Sequence, residues 1–149
     1  MKYCKMCTGL LICVIMVAFV AVNQADAAMT MEQIQKTAMT MRNTCTTKSH
    51  ADAGAVAAIQ NGEFPDDNQL LKCYTLCVMK TMRTFKNGRV DDGMLTKQVD
   101  LMLPPDLSVP MKATAIKCAA EPPAGDDCAT AYQFVKCSYQ TDPNHFFFP

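Results

Sequence analysis

Nine cysteines are the residues of this chain with the most specific chemistry, since a cysteine can form a disulfide, bind a metal or act as a nucleophile. Three of them lie near the start, at Cys4, Cys7 and Cys13. The other six lie further along, at Cys45, Cys73, Cys77, Cys118, Cys128 and Cys137. Cys4 and Cys7 match the C-x-x-C pattern of redox and metal sites, so the role of the first segment decides whether that pattern matters.

The start of the chain is typical of a secretory signal peptide. A short basic stretch precedes an uncharged apolar run from Leu10 to Val22, and small residues at Ala25 and Ala27 then offer a cleavage site. The run is shorter than the roughly 20 residues of a membrane-spanning helix. We therefore expect residues 1–27 to be removed with the first three cysteines. The remaining 28–149 would form one secreted, extracellular domain, in which six cysteines predict three disulfides and no free thiol.

Helix geometry restricts how these cysteines can pair. Cys73 and Cys77 are four residues apart on one predicted helix, where their Cβ atoms would lie about 6 Å apart. A disulfide tolerates only roughly 3.5–4.5 Å between Cβ atoms, so the two must bond to different partners. Cys128 and Cys137 face opposite sides of the last predicted helix and also need separate partners. Several connectivities remain open after these exclusions.

Composition and motifs argue against catalysis and against nucleic-acid binding. The chain has 14 basic and 14 acidic residues and is 50% hydrophobic, so it lacks the basic field of a nucleic-acid binder and is too apolar for disorder. Its two histidines, His50 and His145, belong to no nucleophile, phospholipase-like or zinc motif. No glycine-rich phosphate loop is present. We expect no enzyme activity, no cofactor, no metal, no nucleic-acid partner and no stable membrane insertion.

Apolar residues recur at helical spacing throughout the predicted domain. Six segments show this period, beginning near residues 30, 52, 67, 91, 107 and 126. Thr30 and Gln33 form a capping-box pattern at the first, Asp67 is the expected N-cap of the third, and the period of the third continues to Phe85. Alternating strand patterns are absent. The sequence therefore predicts an all-α fold of six short helices.

The cysteine spacing resembles that of a known family. The six cysteines are separated by 27, 3, 40, 9 and 8 residues. Together with the segments at 62–67, 71–79, 132–137 and 146–149, this spacing resembles the six-cysteine signature of insect odorant-binding proteins. The resemblance covers essentially the whole predicted mature domain. It implies six helices around an internal apolar cavity that carries small hydrophobic odorants or pheromones through aqueous lymph, sensillar lymph if the protein is olfactory, to receptors.

The resemblance also implies a disulfide pattern of first with third, second with fifth and fourth with sixth cysteine. Carried over, this gives the pairs Cys45–Cys77, Cys73–Cys128 and Cys118–Cys137. This pattern agrees with helix geometry, which independently excludes a bond between Cys73 and Cys77 and one between Cys128 and Cys137.

Apolar residues on the inward helix faces are the candidates for the cavity wall. Methionine is frequent among them, and its flexible side chain adapts to ligands of varied shape. The hydroxyl of Tyr132 is the best placed of the tyrosine hydroxyls to bind a polar ligand group, ahead of Tyr74 and Tyr139; a hydroxyl that points to water or to the backbone is the alternative. The predicted ligand-binding residues are Ile34, Ala38, Met41, Ile59, Leu76, Met79, Met82, Met94, Val99, Met111, Ala115, Ile116, Tyr132, Phe134, Phe146, Phe147 and Phe148.

The end of the chain is a second functional candidate. Three consecutive phenylalanines in a solvated tail would favour aggregation, so we expect Phe146, Phe147 and Phe148 to be buried. The resemblance implies that residues 143–149 fold over the cavity as a lid; padding of the outer core is the alternative. His145 precedes them, and because histidine ordinarily titrates between pH 5 and 8 it is the candidate pH switch, ahead of His50. The Asp142 and terminal carboxylates are equal alternatives for this role.

Other functions stay open at this point. A family member could carry hydrophobic cargo in a non-sensory tissue, and a secreted helical effector or signalling protein would use its surface instead of a cavity. The disulfides could hold a cavity open or simply confer extracellular durability. The expected partners are a small hydrophobic volatile ligand and, for an olfactory carrier, an olfactory receptor, with the protein a monomer or weak homodimer.

Overall fold

The computed structural model describes residues 29–149, so the predicted signal peptide with Cys4, Cys7 and Cys13 lies outside the described residues. Six α-helices dominate, which confirms the predicted all-α fold. They are α1 (Met31–Ser49), α2 (Ala53–Ala58), α3 (Gln69–Thr81), α4 (Asp92–Met102), α5 (Pro105–Ala119) and α6 (Asp127–Thr141). Short 3₁₀ helices follow α2 at Ile59–Asn61 and α6 at Pro143–His145.

Side-chain caps begin most of the helices. Thr30 and Gln33 form the predicted capping box of α1, with the Thr30 amide donating to Gln33 Oε1 at 2.8 Å. Asp52, Asp91 and Asp126 cap α2, α4 and α6, each with a side chain that accepts the backbone amide three residues further on. The cap of α3 is Asn68 and not Asp67 as predicted, because the Asn68 side chain accepts the Leu71 amide. Both residue types cap well, so the sequence pattern does not separate adjacent candidates.

A small β-hairpin follows α3, where the sequence predicts a longer helix and no strand. Helix α3 ends at Thr81, and Phe85–Lys86 (β1) pairs antiparallel with Arg89–Val90 (β2). Asn87 and Gly88 lie between them with φ of 53° and 75°. Positive φ at both central residues is what a tight hairpin turn requires, and it brings the flanking residues into strand pairing. The helical prediction was therefore wrong beyond Thr81.

Helix α3 is the centre of the fold. It makes extensive contacts with α6 and α1, and Leu71, Tyr74 and Val78 on its inner face are fully buried. Disulfides join Cys45 to Cys77, Cys73 to Cys128 and Cys118 to Cys137. They link α1 to α3, α3 to α6 and α5 to α6, which is the pairing that the family resemblance implies.

Helix α4 is attached more loosely than the others. It has no fully buried residue, and its main contact is with α5. Two side chains add polar links: Gln98 Nε2 donates to the Met82 carbonyl at 2.5 Å, and Lys112 Nζ lies 2.5 Å from Asp100 Oδ1 on α4. No disulfide of the described chain reaches this helix.

No helix among residues 29–149 is both long enough and apolar enough to cross a membrane.

Candidate functional site

A cavity of about 140 Å³ lies between the helices. Helices α1, α3, α4, α5 and α6 and the C-terminal segment all contribute to its wall. Its lining is formed by Ile34, Thr37, Ala38, Met41, Met79, Met82, Thr84, Leu95, Gln98, Val99, Met102, Leu103, Met111, Thr114, Ala115, Phe134, Val135, Ser138, Asp142, His145, Phe146, Phe147, Phe148 and Pro149. Thr37 and Phe147 are exposed, so they mark its rim.

Helical spacing explains why the wall is apolar. On α4, Leu95, Val99 and Met102 project from one face at steps of four and three residues. Met111 and Ala115 do the same on α5. Five methionines line the space, and their unbranched side chains can change rotamer to fit different contents: Met41, Met79, Met82, Met102 and Met111.

The C-terminal segment closes one side of the cavity. Phe148 is buried at 8% exposure and its ring lies 6.3 Å from that of Tyr74, edge to face. Phe146 packs against Tyr139 with ring centroids 5.2 Å apart, whereas Phe147 is 42% exposed. The Tyr74 hydroxyl donates to the Pro149 carbonyl oxygen. The tail is therefore held by aromatic packing and by a buried polar contact.

Burial around Tyr74 has an electrostatic consequence. Loss of solvent raises the pKa of the Tyr74 phenol to about 12, although the nearby Arg42 guanidinium opposes this rise. The neutral hydroxyl is thus strongly favoured, and it can donate its proton to the tail. Arg42 also carries a buried Nε that makes no hydrogen bond to the described residues.

A few polar groups interrupt the apolar wall. Ser138 Oγ donates to the Phe134 carbonyl at 2.8 Å, and Thr84 Oγ1 lies 3.2 Å from the Met79 carbonyl. His145 Nδ1 lies 2.7 Å from Asp142 Oδ2, and the His145 amide donates to the other oxygen of that carboxylate at 3.3 Å. These polar groups bond to backbone carbonyls or to each other, and they do not form a nucleophile–base pair. Among positions 29–149, no cluster of residues is suited to bind a metal.

Comparison with known proteins identifies the family. The PBP/GOBP family model matches residues 27–141. The chain belongs to the PBP/GOBP family. General odorant-binding protein 72 of Anopheles gambiae is 32% identical over 123 residues, covering 82% of this chain and all of that protein.

Solved structures agree with this assignment. Odorant binding protein 5 of Apis mellifera is 41% identical, with a TM-score of 0.78 over 83% of this chain and all of that one. Odorant binding protein 4 of Chrysopa pallens is 31% identical, with a TM-score of 0.74 over 81% of this chain and 99% of that one. The family and the fold of this PBP/GOBP protein support a role as a carrier of small ligands.

Most of the predicted ligand-binding residues of this PBP/GOBP protein lie together on the cavity wall. They are Ile34, Ala38, Met41, Met79, Met82, Val99, Met111, Ala115, Phe134, Phe146, Phe147 and Phe148. The buried Phe148 and half-buried Phe146 fit the expected packing of the tail, but the exposed Phe147 does not. His145, the predicted pH switch, also lines the cavity.

Four other predicted residues lie off the cavity wall. Ile116 is 54% exposed on α5, one position past the inward-facing Ala115. Met94 is likewise one position before the inward-facing Leu95 on α4. Ile59 and Leu76 pack in or against the hydrophobic core and not against the cavity. A helix turns by about 100° per residue, so an error of one position moves a side chain off the wall.

Tyr132 is also absent from the wall. Its hydroxyl donates to the Pro65 carbonyl at 2.9 Å, and its ring packs edge to face on Phe64 with centroids 5.7 Å apart. Burial raises the pKa of its phenol above the usual range, and the negative charges of Asp66 and Asp67 add to this. The hydroxyl expected to bind a ligand therefore stabilises the loop before α3.

Several cavity residues are not among the predicted ligand-binding residues. The polar Thr114, Ser138 and Asp142 give no apolar signal, whereas Leu95 and Met102 lie on the same face of α4 as the predicted Val99 and were left out. Ser138 stands four residues after Phe134, so the helical phase of a predicted residue would have placed it on the same face. His50, the weaker switch candidate, is the exposed C-cap of α1 and does not line the cavity.

Proposed function

We propose that this protein is a secreted, non-catalytic carrier that holds a small hydrophobic ligand in its internal cavity and delivers it through an aqueous medium to a receptor. The observation that carries the proposal is an apolar cavity inside a disulfide-linked helical frame, in a chain of the PBP/GOBP family. A signal peptide over residues 1–27 is part of the same proposal. A secreted effector that acts through its surface has no need of such a cavity.

The volume of the cavity sets what can enter without rearrangement. A cavity of about 150 Å³ can hold one benzene molecule, and the present 140 Å³ is of that size. A ligand of about ten to fifteen carbons therefore needs more room, which rotamer changes of the lining methionines and withdrawal of Phe148 would provide. Burial of its apolar surface would then give affinities of about micromolar once association costs are subtracted.

The C-terminal segment acts as the lid of this site. Phe148 and Pro149 are buried and line the cavity, and Phe146 rests on Tyr139. Because the same residues form part of the wall, their displacement both opens the cavity and enlarges it. Residues 143–149 thus control access to the ligand.

His145 is the pH switch of the lid in this proposal. Its ring lines the cavity at the first turn of the lid segment, and Asp142 is the charged group that it contacts, with Nδ1 and Oδ2 2.7 Å apart. Met111 and Thr114 of α5, which also line the cavity, bring no charge. Protonation of His145 creates an ion pair with Asp142 on the cavity wall, which favours hydration of the turn and weakens the binding of an apolar ligand.

The decisive experiment is displacement of a fluorescent apolar probe from the oxidised domain. We expect saturable binding at about pH 7, displacement by small volatile alcohols or esters, and weaker binding at about pH 5. The pH effect should be lost in His145→Gln. Failure of the stripped, helical protein to bind any probe would contradict the carrier function.

A pair of substitutions on α5 tests whether the probe occupies this cavity. Ala115 is buried on the wall and Ala113 is exposed on the same helix. Ala115→Leu fills part of the cavity and should weaken probe binding, whereas Ala113→Leu should not. Circular dichroism checks that both variants fold. Equal affinity of the two folded variants would place the probe elsewhere.

A further inference from the structure

We propose that one end of the cavity selects ligands that can donate a hydrogen bond, alcohols in particular, over ligands of the same shape that can only accept one. This inference rests on the carrier function proposed above and defines the chemical class of its ligand. The end in question, called here the polar end, comprises Thr114, Ser138, Asp142 and His145, all of which line the cavity.

The packing of α5 against α6 brings these residues together. The disulfide Cys118–Cys137 fixes the register of the two helices, and Cys118 Sγ also lies 3.7 Å from the Thr141 hydroxyl. Thr114, one turn before Cys118 on α5, lines the same cavity as Ser138 in the last turn of α6 and Asp142, the C-cap of that helix.

At the polar end, most of the hydrogen atoms on polar groups already take part in hydrogen bonds within the protein. Ser138 donates its hydroxyl hydrogen to the Phe134 carbonyl at 2.8 Å, so its oxygen keeps free lone pairs. A carboxylate only accepts, so the 2.7 Å contact between Asp142 and His145 assigns the hydrogen of the neutral ring to Nδ1. The lone pair of the ring then lies on Nε2. Ser138, His145 and the Asp142 carboxylate thus present acceptors.

Thr114 supplies the complementary group. It is 9% exposed and lines the cavity. A threonine hydroxyl can both donate and accept a hydrogen bond, so Thr114 can offer either to a ligand in the cavity.

This set of groups matches an alcohol. A ligand hydroxyl can donate to the acceptors and accept from Thr114, whereas an ether, ketone or ester can only accept. An acceptor-only ligand would displace water from Ser138 and His145 without replacing its hydrogen bonds. Because buried polar groups left without partners weaken binding, we expect a preference of about tenfold for the alcohol.

Three compounds with equal numbers of heavy atoms test this on the oxidised domain at about pH 8, where histidine is ordinarily neutral. They are octanol, methyl heptyl ether and nonane, and their affinities are compared after correction for transfer from water to alkane. We expect octanol to bind about tenfold tighter than the ether. Ser138→Ala should weaken octanol alone, Thr114→Val should weaken octanol and the ether, and nonane should be unaffected by either.

Thr96→Val is the matched control, since Thr96 lies on α4 outside the cavity lining. It should leave all three affinities unchanged. If octanol and the ether bind equally, or if Ser138→Ala leaves their ratio unchanged, the inference is wrong while the carrier function stands. If none of the three compounds binds, the carrier function fails and the inference fails with it.

Discussion

Tyr74 illustrates how much a single side chain connects in this molecule. It lies on the central helix, has no exposed surface, contacts Phe148 with its ring and donates its hydroxyl to Pro149. Its pKa is raised to about 12 by burial. A group that holds its proton more tightly in the folded state stabilises the fold below its unfolded pKa and loses that contribution as the pH rises through the folded pKa.

We therefore predict that the free energy of unfolding falls between about pH 10 and the folded pKa of Tyr74, near 12. Ionised Tyr74 would be a buried anion that can no longer donate to the tail. Tyr74→Phe should reduce this alkaline decline by about 2 kcal/mol. Tyr132 remains in the variant with its own raised pKa, so part of the decline persists. Urea unfolding across this range measures the effect, and identical pH profiles would contradict it.

Gly62 is a second residue whose substitution should have a large effect on stability. It ends the 3₁₀ helix after α2 with φ of 82°, and a side chain there would run into the ring of Tyr139. We predict that Gly62→Ala lowers the free energy of unfolding by about 2 kcal/mol or more, from backbone strain and from the clash. Gly93→Ala, in the first turn of α4 with ordinary φ and with Asp91 Oδ1 3.6 Å from the added carbon, is the matched control. Equal unfolding midpoints of the two variants would refute this.

At the scale of elements, the positions of the helices along the sequence were predictable, whereas the rotation of each helix about its axis was less so. Caps such as Thr30 and Asp126 act through local hydrogen bonds, and local sequence contains that information. The path of the chain after Thr81 depends on a turn at Asn87-Gly88, which overrides the apolar period up to Phe85. The wall residues depend on helix rotation, and an error of one position separated Ile116 from Ala115.

The disulfides allow stability and binding to be separated. Cys73–Cys128 closes 55 residues and Cys118–Cys137 closes 19. The loop-entropy relation predicts losses of about 4 and about 3 kcal/mol when each pair is replaced by serine. We predict the opposite order for ligand affinity, because Cys118–Cys137 sets the register of α5 and α6 at the polar end. Urea unfolding measures the loss of stability in each variant, and probe titration measures the loss of affinity. If the same variant showed the larger loss in both measurements, the prediction would be wrong.

At the scale of the whole molecule, the tail is part of the core as well as the proposed lid. Phe148 is 8% exposed and Phe147 is 42% exposed, although both line the cavity. We predict that Phe148→Ala lowers the free energy of unfolding by about 3 kcal/mol, while Phe147→Ala lowers it by less than about 1 kcal/mol. The enlarged cavity of Phe148→Ala should also accept longer ligands.

Thermal unfolding and titration with alcohols of increasing chain length measure both effects. Similar stability of the two phenylalanine variants would mean that Phe148 does not anchor the tail. The sequence predicted a tail that needed burial, but which of the three rings faces inward depends on contacts with Tyr74 and Tyr139, residues distant in the chain.

Helix α4 forms one wall of the cavity but takes no part in the covalent network that joins α1, α3, α5 and α6. Segments with few buried contacts open locally at a small fraction of the free energy of global unfolding. Amide hydrogens of α4 should therefore exchange fastest among the wall helices. Fraying of this one wall would then give the proposed ligand a second route beside the C-terminal lid, and exchange by this route would be set independently of how durable the cross-linked frame is.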